Sequence, residues 1–116
     1  VKVSNYRDLL SWHGQELLDE AILALYKRMR AQLGDVADIG RWREDAFATK
    51  LICSRQDALR VSHEMSLNLD GPYICMLDGS RHTLHLRIGI GVADFRVSED
   101  GDKFLAKADL LLQSLG

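Results

Sequence analysis

Leu17, Leu18, Ala21, Ile22, Leu25 and Met29 recur at intervals of three and four residues with charges between them, which predicts an amphipathic helix over about 14–32. Gly34, which tolerates the left-handed conformation that ends helices, stops it. The pattern then alternates on either side of Arg43-Glu44-Asp45: Val36 to Trp42 and Ala46 to Cys53 read as two strands joined by a tight polar turn. Ser54 with Asp57 three residues later forms a capping box, and Ala58, Val61, Met65 and Leu69 follow at helical spacing, predicting a helix over about 55–69. Asp70-Gly71-Pro72 breaks that helix. Tyr73 to Leu77, the turn Asp78-Gly79-Ser80, and His82 to Phe95 predict a second hairpin. A last helix, about 101–115, follows the polar stretch Ser98-Glu99-Asp100-Gly101-Asp102.

The order is strand end, helix, hairpin, helix, hairpin, helix. This predicts an α+β fold, with both hairpins in one mainly antiparallel central sheet and the helices packed on it. The 116 residues, 47% of them hydrophobic, suffice for one core and are too few for two, so a single domain is expected. Fifteen basic residues against seventeen acidic ones leave no basic footprint for a nucleic-acid backbone, so no nucleic acid is expected as a partner. No apolar run approaches the ~20 residues that span a bilayer, and no signal peptide is evident, which predicts a cytoplasmic module with no membrane segment. Cys53 and Cys75 have no metal-finger spacing and read as two small buried hydrophobes in a reducing compartment.

With the elements placed, Gly40-Arg41-Trp42-Arg43-Glu44-Asp45-Ala46-Phe47 resembles R-x-G-G-D-E-F, the turn that names the GGDEF family of diguanylate cyclases; Arg41, Asp45 and Phe47 keep their letters. The segment from Lys2-Val3-Ser4 through Tyr6-Arg7, Leu9-Leu10-Ser11 and Gly14 to Asp19 resembles the family's D-x-D-x-F-K-x-I-N-D-x-x-G-H-x-x-G-D without a gap. Gly89-Ile90-Gly91-Val92-Ala93 resembles its S-I-G-x-A strand, and Ala108-Asp109 its A-D-x-A-L-Y helix. The four matches fall in the family's order and run over nearly the whole chain. The family's N-terminal helix and most of its first strand would precede Val1, so the chain is expected to be an N-terminally incomplete copy and a fragment of a longer multidomain protein.

The resemblance implies a palm-like cyclase fold and condensation of two GTP into cyclic di-GMP with Mg²⁺, a hard cation that wants carboxylate oxygens. In the family these come from the first Asp of D-x-D and an acidic residue of the signature turn. Here Lys2 and Ala46 hold those positions, which leaves Asp45 without an obvious partner. Arg43 and Glu44 replace the two glycines that let the nucleotide approach closely. Leu10 replaces the guanine-reading Asn, while Asp19 keeps the other guanine-reading position and Arg7 stands where the family has a phosphate-binding Lys. The R-x-x-D of the inhibitory product site has become Gly34 and Ala37, and the basic pair beyond the last helix has no counterpart.

Each of these residues also has a plainer reading. Asp45 suits a hairpin turn for backbone reasons in preference to metal ligation. Lys2 is a solvated or ion-paired lysine in preference to a phosphate donor, and Asp19 is either a guanine reader or a helix-face charge. Trp12 and Trp42 are expected to pack. His82 and His85, three apart on a strand, point to opposite faces and cannot share a metal comfortably. The sequence therefore predicts a catalytically silent GGDEF-like regulatory module that needs no cofactor. Its expected partners are an attached sensor or phosphodiesterase domain, a second copy in a homodimer, and GTP or cyclic di-GMP. The alternatives are an active diguanylate cyclase using Mg²⁺, with Glu44 completing the site, and a protein-interaction domain that binds no nucleotide.

Overall fold

The computed structural model describes residues 1–35 and 37–93. In chain order the elements are β1 (Lys2–Val3), α1 (Tyr6–His13), α2 (Gln15–Leu33), β2 (Asp38–Arg43), β3 (Ala46–Lys50), α3 (Arg55–Leu69), β4 (Gly71–Leu77), β5 (Ser80–Leu86) and β6 (Ile88–Gly89). The described part is α+β, with three helices and antiparallel pairing in both of its sheets. The expected last helix and Ala108-Asp109 lie outside the described residues.

The apolar stripe predicted for the long helix is the one that α2 buries: Leu17, Leu18, Ala21, Ile22, Leu25 and Met29 all face the core. Gly34 caps α2 with φ 74°, a conformation that L side chains rarely adopt. Ser54 caps α3 by accepting the Asp57 backbone N–H at 3.1 Å, as the capping box predicts. At the tip of the second hairpin Asp78 (φ 51°) and Gly79 (φ 79°) both take the left-handed backbone of the two-residue turn whose twist matches its strands.

Three expectations about the elements need correction. First, Tyr6–His13 forms a helix, α1, of its own. Tyr6 and Leu9 are the two residues it buries, and Gly14, with φ 86° and ψ 169°, separates it from α2. Second, the hairpins do not share one sheet. The β2–β3 hairpin joins β1 and β6 in a four-stranded sheet of order β2-β3-β1-β6, whereas β4 and β5 form a two-stranded sheet by themselves. Third, the stretch expected as one strand from His82 onward is interrupted at Arg87, and Gly91 to Ala93 are not in a strand.

Side chains fix that interruption. Asn5 donates to the His85 carbonyl at 2.8 Å and accepts the Arg87 N–H at 3.0 Å. The Asp70 carboxylate accepts the Ile88 N–H at 2.9 Å. The backbone groups that β5 would have used to continue its ladder are thus taken locally, and the chain crosses to lie beside β1.

Two expected burials also fail. Cys53 is exposed, while Cys75 is buried as expected. Trp12 is 69% exposed instead of packed. The core lies between α2 and the inner face of the β4–β5 ribbon, where Tyr73, Cys75, Leu84 and Leu86 meet Leu18, Leu25 and Met29, and it extends under β1 and β3 through Val3 and Phe47. Tyr73 donates its hydroxyl to the Leu69 carbonyl at 2.7 Å, so the buried phenol is satisfied. Burial raises its pKa, with Arg28, whose guanidinium lies 3.9 Å from the ring centroid, opposing the shift. Burial also pushes the Cys75 thiol up, and Glu20 adds to it, which leaves Cys75 a packing residue instead of a nucleophile.

Candidate functional site

The signature residues form a real turn. β2 ends at Arg43, Glu44 and Asp45 make the turn, and Ala46 opens β3. Arg41 pairs with Phe47 and Arg43 with Ala46, so Trp42 is the extra residue of a bulge. Neither Glu44 nor Asp45 takes a positive φ; Asp78 is the non-glycine residue that does among the described residues. The bulge supplies the sharp reversal here, so the backbone closes without the paired glycines.

Arg41 holds the turn from one side. Its Nε donates to the Arg43 carbonyl at 2.9 Å and a terminal nitrogen donates to the Glu44 carbonyl. The guanidinium lies 5.5 Å from the centroid of the Phe47 ring, which is 6% exposed and stands 6.1 Å from the ring of Tyr26. Two of the three residues that keep the signature's letters therefore grip each other and the turn backbone.

β1 lies directly against this turn. Val3 donates its N–H to the Asp45 carbonyl at 2.8 Å, and Val1 and Phe47 exchange backbone bonds, the amine of Val1 reaching the Phe47 carbonyl at 3.0 Å. In the register between, Lys2 faces Ala46 on one side and Gly89 on the other. Directly opposed residues of an antiparallel pair share a face. The two positions from which carboxylates were expected are thus neighbours, occupied by an ammonium and by a methyl group that is 1% exposed. Asp45 and Glu44 are the carboxylates left at the turn, and no group of three or more His, Cys, Asp or Glu side chains converges among the described residues. These residues do not fit a Mg²⁺ ion.

The remaining candidates stand on the helices. Arg7 is exposed on α1, and Asp19 is exposed on α2, where Gln15 one turn earlier donates to its carboxylate at 2.7 Å. That bond favours the helix-face reading of Asp19. Arg43 and Glu44 are exposed and Asp45 is half-buried. At Gly34 and Ala37, where the resemblance would put the product site, Arg30 of α2 donates to the two carbonyls at 3.1 Å and 2.6 Å.

A groove of about 510 Å³, not anticipated from the sequence, lies between the hairpin and α3. Trp42, Phe47 and Thr49 of the hairpin and Val61 and Met65 of α3 line it, together with Ile90 to Ala93. Thr49 contributes a buried hydroxyl with no hydrogen-bond partner among the described residues. Val61 and Met65, four apart on a helix predicted to pack, were the one visible signal. No helix is long and apolar enough to cross a membrane among the described residues. No family model matches the chain, and neither a curated protein nor a solved structure shows significant similarity to it.

Proposed function

We propose that the chain is a GGDEF-like regulatory module of cyclic di-GMP signalling that lacks cyclase activity and acts through nucleotide binding or through contacts with a neighbouring domain or a second copy. The observation that carries this reading is the pairing of Lys2 with Ala46 beside the turn. A gapless alignment of two separate sequence segments requires these positions to meet, and their meeting is not a local property of either segment. The order β2-β3-β1-β6, with the first strand inside and the signature hairpin beside it, supports a palm-like sheet. The same pairing argues against turnover, because an ammonium beside a buried methyl group offers a divalent cation no ligand and repels it.

The test has two arms. Incubation with GTP and Mg²⁺ is expected to give no cyclic di-GMP above background. Lys2→Asp combined with Ala46→Glu is expected to create a Mn²⁺ site detectable by calorimetry, while each change alone does little. Ala46 is buried, so circular dichroism must first show that the double variant is folded. Turnover by the parent that is lost in Asp45→Ala would establish the active cyclase instead. A folded double variant that binds Mn²⁺ no better than the parent would remove the basis of the family reading.

A further inference from the structure

Seven large hydrophobic side chains are exposed among the described residues, and four of them belong to two faces that also carry opposite charge. The first face is on the β4–β5 ribbon. Tyr73, Cys75, Leu84 and Leu86 point inward to α2, so alternation puts Pro72, Ile74 and Met76, with Arg81, Thr83 and His85, on the other side. The register sets Pro72 beside His85, Ile74 beside Thr83 and Met76 beside Arg81, and exposed Arg87 follows just beyond the end of β5. An aliphatic strip in which Ile74 is 61% and Met76 55% exposed thus runs alongside a basic one.

The second face is the outer side of α2. Glu16, Asp19, Glu20 and Leu23 are exposed at the spacing that lines one side of a helix, and exposed Trp12 stands at the end of α1 just before them. The buried side of α2 rests on the buried side of the ribbon, so the acidic face and the basic face are on opposite sides of one helix-on-sheet layer. A molecule cannot bring its own two faces together. A second copy can.

We infer that the outer face of the β4–β5 ribbon docks the outer face of α2 of a second copy, Arg81, His85 and Arg87 meeting Glu16, Asp19 and Glu20 while Ile74 and Met76 cover Leu23. The contact is heterologous, with one face of each kind left free on every pair, so association continues head to tail. It stands whether or not the chain is GGDEF-like, since none of these residues belongs to the signature turn.

Sedimentation velocity across a concentration series at low and high salt tests it. The parent is expected to associate with rising concentration and to dissociate at least several-fold more readily at high salt. Arg81→Glu with Arg87→Glu, or Glu16→Lys with Glu20→Lys, is expected to stay monomeric, and mixing these two variants is expected to restore association, because each then presents the charge that the other lacks. All four positions are exposed, so the fold is untouched, and circular dichroism checks that. A parent that stays monomeric at low salt, a variant that associates like the parent, or folded variants that do not associate on mixing would each overturn the inference.

Discussion

Arg41 braces the turn between β2 and β3. Its guanidinium bonds two turn carbonyls and covers the Phe47 ring, while the turn itself uses no left-handed residue to close. Replacement by alanine removes these bonds from an exposed turn, for an expected loss of about 1 kcal/mol in urea unfolding. Arg41→Lys should recover little, since an ammonium cannot serve both carbonyls in the planar geometry of a guanidinium. A loss too small to measure would mean that the bulge at Trp42 holds the turn alone. At this scale the sequence was informative about type and silent about geometry. Asp45 was legible as a turn residue and Phe47 as an apolar strand position, because both follow from local chemistry. The grip of Arg41 was not, because it depends on the extra residue at Trp42, and nothing in the spelling of a strand marks where its ladder slips.

Between the residues and the molecule, Gly14 decides how the N-terminal third is divided. With φ 86° and ψ 169° it turns the chain out of α1 and into α2. A β-carbon built there meets nothing within 4 Å, so the cost of Gly14→Ala is conformational alone. Destabilisation of about 1–3 kcal/mol is expected from thermal or urea unfolding. A neutral substitution would mean that α1 and α2 can run on as one helix. The long elements α2 and α3 were legible because period and caps agree over several turns, even though α3 fully buries only Met65 and Leu69. α1 was not, since its eight residues bury only Tyr6 and Leu9, too few to establish a period. The candidate groove escaped for a related reason: its walls come from β3 and α3, each of which reads as ordinary packing until the other is placed opposite.

Which strands share a sheet is a property of the whole molecule, and here a pattern of alternation could not supply it. Residues from His82 onward alternate as one strand would, yet Asn5 and Asp70, distant in sequence, take the backbone groups at the crossing and send Ile88–Gly89 to the other sheet. The two-residue strand β1 then sits inside the four-stranded sheet, where Lys2 pairs with Ala46 on one side and with Gly89 on the other, both distant in sequence. That position has a kinetic consequence. The entropy of closing such long loops must be met before the contacts reward it, whereas the β4–β5 ribbon closes through a two-residue turn. The ribbon with α2 should therefore be formed in the rate-limiting step, and β1 should be inserted after it. In stopped-flow urea experiments, Leu84→Ala is expected to slow folding, while Val3→Ala, also at a buried site, is expected to act almost wholly by speeding unfolding. If Val3→Ala slowed folding by its full equilibrium effect, the order would be reversed. A chain that gains its central strand last exposes, each time that strand leaves, the neighbouring edges of β3 and β6 to any extended segment able to take its place.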